Sequence, residues 1–168
     1  MHVSELVIRK YLPTDRESCR SLWRELTEWH RQIYRDPSIG GAHPEDHFDK
    51  HLAKVGADYL WVAILDSQVV GLIGLIVNRE EAEIEPLIVS QPYRHKGIGR
   101  RLVETVVAEA NRLGVRFLSV KPVARNVEAI KFLHKQVFRN IGHIELFMDF
   151  SDRQWKKGLQ LFNCQFNF

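Results

Sequence analysis

The segment from Leu87 to Leu102 constrains the fold of this chain more than any other part of the sequence. It contains an apolar strand, a basic turn with two glycines and the start of a helix. Gly97 and Gly99 carry no Cβ, so the backbone there can approach a ligand closely. The first N–H groups of a helix have no partner within the helix, and with the positive end of the helix dipole they form an anion site. The segment therefore predicts a phosphate-binding loop.

Positive charge around this turn favours a ligand that carries several phosphates. Four basic side chains flank the glycines, which is more charge than a simple turn needs: Arg94, Lys96, Arg100 and Arg101. A P-loop would require Lys-Ser/Thr where Arg100 and Arg101 stand, and a dinucleotide fingerprint would require a third glycine where Leu102 stands. An ordinary strand-to-helix turn with a solvated basic rim stays open as the alternative for this motif alone.

Length and composition favour a single domain over residues 1–168. A chain of 168 residues with a hydrophobic fraction of 45% can bury a core without disulfides or a structural metal. The net charge of +3 arises from 24 basic and 21 acidic residues, and this small excess gives no argument for a nucleic-acid partner.

Cysteine usage and apolar runs predict a soluble, cytoplasmic protein with no membrane partner. Cys19 and Cys164 are isolated and give no disulfide framework, which favours a reducing compartment. The longest apolar run, from Val69 to Val77, is too short to span a bilayer. Charged residues interrupt the N-terminal apolar residues and exclude a signal-peptide core there: Glu5, Arg9 and Lys10.

The chain before the glycine turn predicts a strand, a long helix and a β-hairpin. The strand covers Val3 to Leu12, and a capping box at Thr14 to Glu17 begins the helix. Two β-rich runs, Asp58 to Leu65 and Val69 to Val77, surround a short turn and predict the hairpin. The helix has an apolar stripe at spacings of three and four: Cys19, Leu22, Trp23, Leu26, His30 and Ile33.

Three histidines spaced four residues apart, His43, His47 and His51, follow the first helix around Pro44. A metal site is conceivable on such a helix, but the His-Glu-x-x-His arrangement is missing. Charged helix faces are commonly solvated, so we expect an exposed surface that helps to shape a substrate entrance. No metal is expected.

The strand from Ala82 to Val89 contains Pro86, which cannot donate a ladder hydrogen bond. The strand must therefore be bulged or unpaired on one side at that point. The amphipathic helix from Gly99 to Leu113 and a short strand from Arg116 to Val120 complete a βαβ unit, which predicts two parallel strands. The helix N-terminus then lies at the carboxyl edge of the sheet, where open α/β sheets bind ligands.

Two motifs resemble the GNAT acetyltransferase superfamily. Arg94 to Gly99 follows the pattern Arg-x-x-Gly-x-Gly of the acetyl-CoA loop. Further on, Asn126, Ala129 and Phe138 match a second family pattern, while Leu133 stands where a tyrosine is common and Val137 where a glycine is common. The two motifs lie at the distance from each other that the family shows.

This resemblance implies an α/β fold of three layers, in which helices flank a mixed sheet with a splayed central parallel strand pair. Acetyl-CoA would be the co-substrate, with its pantetheine arm paired to free backbone groups of the first strand. Its diphosphate would lie on the loop. The implied co-substrate-binding residues are Leu87, Ile88, Val89, Arg94, His95, Lys96, Gly97, Ile98, Gly99, Arg100 and Asn126.

The implied chemistry is direct transfer of the acetyl group to a primary amine. An ammonium with a pKa of about 10.4 must lose a proton before it attacks, and Glu83 or Glu85 is the candidate base. By its spacing from Arg94, Glu83 stands where some branches of the family carry a base. Both glutamates could instead be surface carboxylates, or one of them could pair with a basic neighbour. The N–H group of Leu87 is the candidate donor to the oxyanion. The general acid is left open, because Leu133 replaces the tyrosine and the neighbouring His134 points about 100° away on a helix.

Other functions and partners stay open at this level. A module that holds acetyl-CoA or CoA without turnover would also fit the missing tyrosine, and a basic nucleic-acid binder is a third possibility, although no nucleic-acid partner is expected. The glutamates favour a cationic acceptor amine, such as a polyamine, an aminoglycoside, a lysine or a protein N-terminus. Two C-terminal strands, Ile141 to Phe150 and Gly158 to Phe168, are predicted to pair within the chain, and a homodimer is possible.

Overall fold

The computed structural model describes residues 5–168, which group into two compact units, residues 5–121 and 122–168. The first unit contains a sheet with strand order β1-β2-β3-β4-β5, and the second contains a helix and a two-stranded sheet. The elements are β1 (Val7–Lys10), α1 (Arg16–Tyr34), α2 (Asp46–Val55), β2 (Leu60–Leu65), β3 (Gln68–Asn78), β4 (Glu81–Val89), α3 (Ile98–Arg112), β5 (Phe117–Val120), α4 (Val127–Lys135), β6 (Lys157–Leu161) and β7 (Cys164–Asn167).

The five-stranded sheet is mixed, as predicted. Strands β1 to β4 are antiparallel neighbours, and β4 pairs with β5 in parallel, which confirms the βαβ unit around α3. Asp66 and Ser67 connect β2 to β3 with φ angles of 49° and 62°, so the predicted hairpin is formed. Strand β1 is shorter than the predicted strand, and Val3 and Ser4 of that prediction lie outside the described residues.

An apolar core lies between the sheet and helices α1 and α2. The predicted stripe of α1 supplies Cys19 and Leu22, while Trp23 and Leu26 pack at its border. Helix α3 buries its own apolar face, as its spacing predicted. The buried residues of the core between the sheet and helices α1 and α2 are Tyr11, Cys19, Leu22, Phe48, Leu60, Val62, Leu72 and Ile88. No helix among residues 5–168 has the length and apolar character needed to cross a membrane.

The start of α1 differs from the predicted capping box. Pro13 to Asp15 form a 3-10 turn, and α1 therefore begins at Arg16 with Thr14 inside the turn. Asp15 accepts a hydrogen bond from the Leu12 N–H at 2.8 Å and a bidentate contact from the Arg9 guanidinium at 2.7 and 2.9 Å. The contact with Arg9 is the largest cause of a lowered pKa of the Asp15 carboxyl. A partly buried ion pair between Arg9 and Asp15 thus takes the place of the predicted hydroxyl cap.

The C-terminal strand predictions are wrong in two places. The segment from Ile141 to Phe150 has no regular secondary structure, and its large apolar side chains are exposed. The segment from Gly158 to Phe168 is a hairpin of β6 and β7 and not one strand, because Phe162 and Asn163 form a turn with φ angles of 51° and 62°. Alternation of apolar and polar residues continues through the turn, so the pattern conceals it; Phe162 itself is 89% exposed.

Asn126 predicts the cap of a helix whose inner face would carry Ala129, Ile130, Leu133 and Val137. Helix α4 begins directly after Asn126, and the Asn126 side chain caps it by accepting a hydrogen bond from the Ala129 N–H at 3.2 Å. Its predicted inner face is only partly correct. Leu133 is buried, whereas Ile130 and Val137 are exposed. Val137 lies beyond the end of the helix and has a φ angle of 71°.

Replacing Val137 by Gly should stabilise the protein by about 1 kcal/mol. A non-glycine residue in the left-handed region costs roughly 1–2 kcal/mol, and part of this gain is lost because glycine has more conformational entropy in the unfolded chain. Little apolar burial is lost, because Val137 is 74% exposed. Urea denaturation of the full chain measures the change. The matched control is Val127→Gly at the first position of α4, where a helical backbone gives glycine no advantage. An equal response of both variants would contradict the expectation.

Candidate active site

A β-bulge interrupts the pairing of β3 with β4 next to Pro86. The register runs from Ile73 opposite Leu87 to Leu75 opposite Ile84, so that Glu85 and Pro86 together face Gly74. The sequence predicted a bulge or an unpaired stretch from the missing N–H of Pro86, and the bulge is present.

This bulge requires a glycine at Gly74, because any side chain at that position would collide with its neighbours. A Cβ at Gly74 would lie 2.3 Å from the carbonyl oxygen of Glu85 and 2.8 Å from Cδ2 of Leu60. The first contact is with backbone, which cannot move aside without moving the strand. Because Gly74 of β3 has no side chain, the Glu85 backbone can lie directly against it.

Replacing Gly74 by Ala should destabilise the fold by about 1–3 kcal/mol, the usual cost of forcing an extra methyl group into a packed core. Thermal or urea unfolding measures this loss. Gly142→Ala is the matched control, since no heavy atom lies within 4 Å of the corresponding Cβ position. A loss of equal size in both variants would mean that the bulge is not the cause.

Beyond the bulge, β4 and β5 separate. The parallel pairing covers only Glu81–Ile84 against Phe117–Val120, and in the described part of the chain no strand pairs with the rest of β4 on that side. The Ser90 N–H donates to the Val70 carbonyl at 2.9 Å on the β3 side. Because ladder groups alternate, Ile88 also faces β3, whereas the N–H groups of Leu87 and Val89 point toward the opening.

The glycine turn leads directly from this opening into α3. The first helical hydrogen bond joins the Arg101 N–H to the Gly97 carbonyl at 3.1 Å, so the three preceding N–H groups make no helical bond. Gly97 has a φ angle of 80°, and no heavy atom lies within 4 Å of the position that a Cβ would take. The free helical N–H groups belong to Ile98, Gly99 and Arg100, and the turn in front of them is open.

The basic side chains of the turn have different surroundings. Arg94 donates from Nε to the Val89 carbonyl at 3.0 Å, and its guanidinium carbon lies 5.3 Å from the centre of the Trp29 ring. Arg100 donates to the Glu104 carboxylate at 2.8 Å along α3. Arg94 thus connects the loop to the end of β4, and Trp29 of α1 is a stacking partner that no sequence pattern predicted.

His95 and Lys96 form the exposed part of the turn. His95 has a φ angle of 62°, and the Lys96 ammonium lies 5.2 Å from the centre of the Tyr93 ring. Neither forms an ion pair with the protein among the described residues. The Lys96 ammonium is therefore the charge most readily available to an anion on the helix N-terminus, with the exposed His95 side chain beside it.

The two candidate bases have different partners. The Glu83 carboxylate is 2.5 Å from the ammonium of Lys121, whose pKa is raised by this hydrogen bond and charge. The Glu85 carboxylate is 47% exposed and lies 3.9 Å from Nδ1 of His51. Glu83 is thus committed to an ion pair, while Glu85 stands next to a buried imidazole.

The three histidines around α2 do not form a common surface. His43 and His47 are exposed, but His51 is buried, so the expectation of a solvated face is wrong for His51. Its spacing of three from Phe48 places it on the core side of α2. Among residues 5–168, no three His, Cys, Asp or Glu side chains are grouped so that they could hold a metal ion.

The sequence profile of the acetyltransferase (GNAT) family matches residues 23–138. The chain belongs to the GNAT acetyltransferase family. The resemblance inferred from the two motifs is confirmed, and so is the family's class of activity, acetyl transfer from acetyl-CoA as co-substrate. No curated protein sequence matches the chain.

Solved GNAT structures share this fold. The aminoglycoside N-acetyltransferase AAC(6')-Iy in complex with CoA is 17% identical, with a TM-score of 0.66 over 89% of this chain and 98% of that one. The PaiA N-acetyltransferase of Thermoplasma acidophilum, also with CoA, is 21% identical, with a TM-score of 0.66 over 79% and 88%. The ribosomal-protein-S18-alanine N-acetyltransferase of Escherichia coli is 19% identical, with a TM-score of 0.64 over 83% and 80%. The predicted fold class is confirmed.

The second GNAT motif lies in the second unit. Asn126 uses its side-chain oxygen to cap α4, so this atom already has a backbone partner. Leu133, at the position where the family often has tyrosine, is buried, and His134 next to it is exposed. The departure from the family pattern therefore replaces a hydroxyl by a buried apolar side chain.

Proposed function

We propose that the protein transfers the acetyl group of acetyl-CoA directly to a primary amine. The observation that carries this proposal is the separation of β4 from β5 immediately before an open helix N-terminus. Two backbone donors at the opening and three at the helix can bind one extended ligand in which a polar arm is joined to phosphates. Acetyl-CoA has this shape, with an amide-containing arm and a diphosphate.

The proposed binding mode places the pantetheine arm along Leu87, Ile88 and Val89. The N–H groups of Leu87 and Val89 point toward the arm, and Ile88 between them faces β3. The diphosphate lies on the N–H groups at the start of α3, the exposed Lys96 ammonium attracts it, and the exposed His95 side chain contacts it. Arg94 acts through the loop, since it joins the turn to the carbonyl of Val89. Gly97 keeps the approach open, since no heavy atom lies within 4 Å of the position of a Cβ there. The predicted contact of Asn126 with the co-substrate is not part of this binding mode, because Asn126 belongs to the second unit.

Glu85 is the proposed general base. It accepts a proton from the acceptor ammonium, directly or through one water molecule, and the free amine then attacks the thioester carbonyl. The Leu87 N–H stabilises the oxyanion that forms. Glu83 is a poorer candidate, because its ion pair with Lys121 must break before it can take a proton. The tetrahedral intermediate collapses with loss of the CoA thiolate, which takes up the second proton that the acceptor nitrogen must lose. A thiol with a pKa of about 8.5 can leave as the thiolate without a positioned acid.

The acceptor is proposed to be a cationic amine of a small molecule, a peptide or a protein. Glu85 and the other carboxylates of β4 favour a positive charge near the opening. Structural neighbours act on an aminoglycoside and on the alanine of a ribosomal protein, so the fold serves both kinds of acceptor. The same proposal includes one working domain in the cytoplasm, with no nucleic-acid or membrane partner and with a possible homodimer.

Turnover of acetyl-CoA with a panel of amines tests the function. Thiol release is followed with polyamines, aminoglycosides, lysine peptides and peptides with a free N-terminus, and the acetylated product is identified by mass spectrometry. Release that depends on one class of amine supports the proposal. The second candidate, a module that holds CoA without turnover, is favoured by the buried Leu133. It predicts tight CoA binding and no release above the rate without protein.

A further inference from the structure

His51 is a buried titratable group for which the proposed reaction has no role. Its side chain is only 5% exposed and lies on α2 against the Trp23 ring of α1, with the ring centres 5.2 Å apart. Nδ1 faces the Glu85 carboxylate at 3.9 Å. Nε2 is buried and has no hydrogen-bond partner among the described residues.

The contact with Glu85 selects one tautomer of the imidazole. An ionised carboxylate can only accept hydrogen bonds, so the ring nitrogen that faces it must carry the proton. In that tautomer Nε2 is a bare acceptor, which avoids burying an unpaired N–H donor; such a donor would cost about 1–3 kcal/mol. The distance of 3.9 Å is longer than a hydrogen bond. A small rotation of the exposed Glu85 side chain would close it.

We propose that His51 is a positioning residue for Glu85, whose carboxylate it directs toward the acceptor amine by donation from Nδ1. The catalytic role of His51 rests on the proposed function, whereas the contact between His51 and Glu85 does not depend on it. In the reaction, the proton of the ammonium passes to Glu85, and Glu85 returns it to solvent through its exposed side. His51 keeps its Nδ1 proton throughout.

The electrostatic surroundings keep His51 neutral. Burial is the largest cause of its lowered pKa, the charge and the backbone of Glu85 oppose this effect, and Lys54 of the same helix adds to it. Trp23, the neighbour from α1, carries no charge. A neutral imidazole can orient a carboxylate without forming the permanent ion pair that binds Glu83 to Lys121. At a pH below its folded-state pKa, His51 becomes positively charged and forms an ion pair with Glu85. The activity should therefore fall at acid pH.

Nuclear magnetic resonance of the histidine side chains tests the contact without any activity. The ring nitrogen shifts of His51 should report a proton on Nδ1, whereas exposed His47 of the same helix should favour the usual Nε2 form. In Glu85→Gln the pKa of His51 should fall further, since the carboxylate that raises it is gone. A His51 protonated at Nε2, or a pKa that Glu85→Gln leaves unchanged, would overturn the proposal.

Kinetics separate positioning from packing. His51→Phe keeps an aromatic ring against Trp23 but loses the donor, and it should lower kcat about tenfold with an unchanged Kd for CoA. His51→Asn places an amide N–H close to the Nδ1 position, so it should recover most of the rate. His143→Phe changes an exposed histidine that has no part in the proposed reaction; it is the matched control and should leave the rate unchanged.

The double variants complete the test. His51→Phe should cost little in a Glu85→Gln background, because a positioning residue acts only through the group that it positions. Equal losses in His51→Phe and His51→Asn, or fully additive losses with Glu85→Gln, would overturn positioning. An inactive wild-type protein would refute the proposed function instead, and the nuclear magnetic resonance result would still decide the contact between His51 and Glu85.

Discussion

Replacing Glu85 by Gln should lower kcat for acetyl transfer by a factor of about 10² to 10⁴, the usual worth of a positioned general base. The amide keeps the size and polarity of the side chain but cannot accept the proton of the acceptor. The Kd of CoA should stay the same, because the residues proposed to bind it belong to the next part of β4 and to α3. Steady-state thiol release and calorimetry with CoA measure the two quantities.

Two neighbouring glutamates serve as comparisons for this result. Glu81→Gln changes an exposed residue two steps before Glu83 on the same strand, and it should leave the rate unchanged. Glu83→Gln should cost less than about tenfold, since the carboxylate is held by Lys121 and has only an indirect part in the reaction. A larger loss in Glu83→Gln than in Glu85→Gln would reverse the assignment of the base.

Replacing Gly97 by Asp should raise the Kd of CoA by about 100-fold or more. A carboxylate at the helix N-terminus would repel the diphosphate, and two like charges 4 Å apart at the surface interact by about 4 kcal/mol at an effective dielectric constant of 20. Asp tolerates a left-handed backbone better than most residues, so the φ angle of 80° does not by itself unfold the loop.

The matched control is Gly97→Asn, which has the same shape and the same tolerance of a positive φ angle but no charge. We expect it to raise the Kd of CoA by less than about tenfold, consistent with a steric effect alone. Pantetheine, which lacks the diphosphate, should bind all three proteins alike. Equal affinities of the Asp and Asn variants for CoA would place the phosphates elsewhere.

The parts of the fold that the sequence predicted well depend on local chemistry. Pro86 lacks an N–H, so a bulge in β4 follows from that residue alone, and Asn126 caps α4 with its own side chain. The glycine turn follows the same logic, because Gly97 has a backbone conformation that other residues avoid. Candidate site residues could be named from these signals since each signal lies within one short segment.

The errors arose where distant residues decide the outcome. The apolar alternation up to Phe168 concealed a turn at Phe162, because the period of two continues through it. His51 matched a charged helix face by spacing, yet it is buried against Trp23, which lies 28 positions earlier. The partners of the two glutamates are distant in sequence as well: Glu83 pairs with Lys121, which directly follows β5, and Glu85 lies next to His51 of α2. No pattern within β4 could have distinguished these two carboxylates.

The opening between β4 and β5 offers main-chain groups to the co-substrate, and every residue type except proline supplies them equally. Side chains along this edge can therefore change without altering the hydrogen bonds that the proposed binding mode uses. Such a site tolerates extensive substitution as long as the spacing of the backbone is kept. Proteins that share only about a fifth of their residues with this chain can accordingly retain the same architecture and still hold CoA.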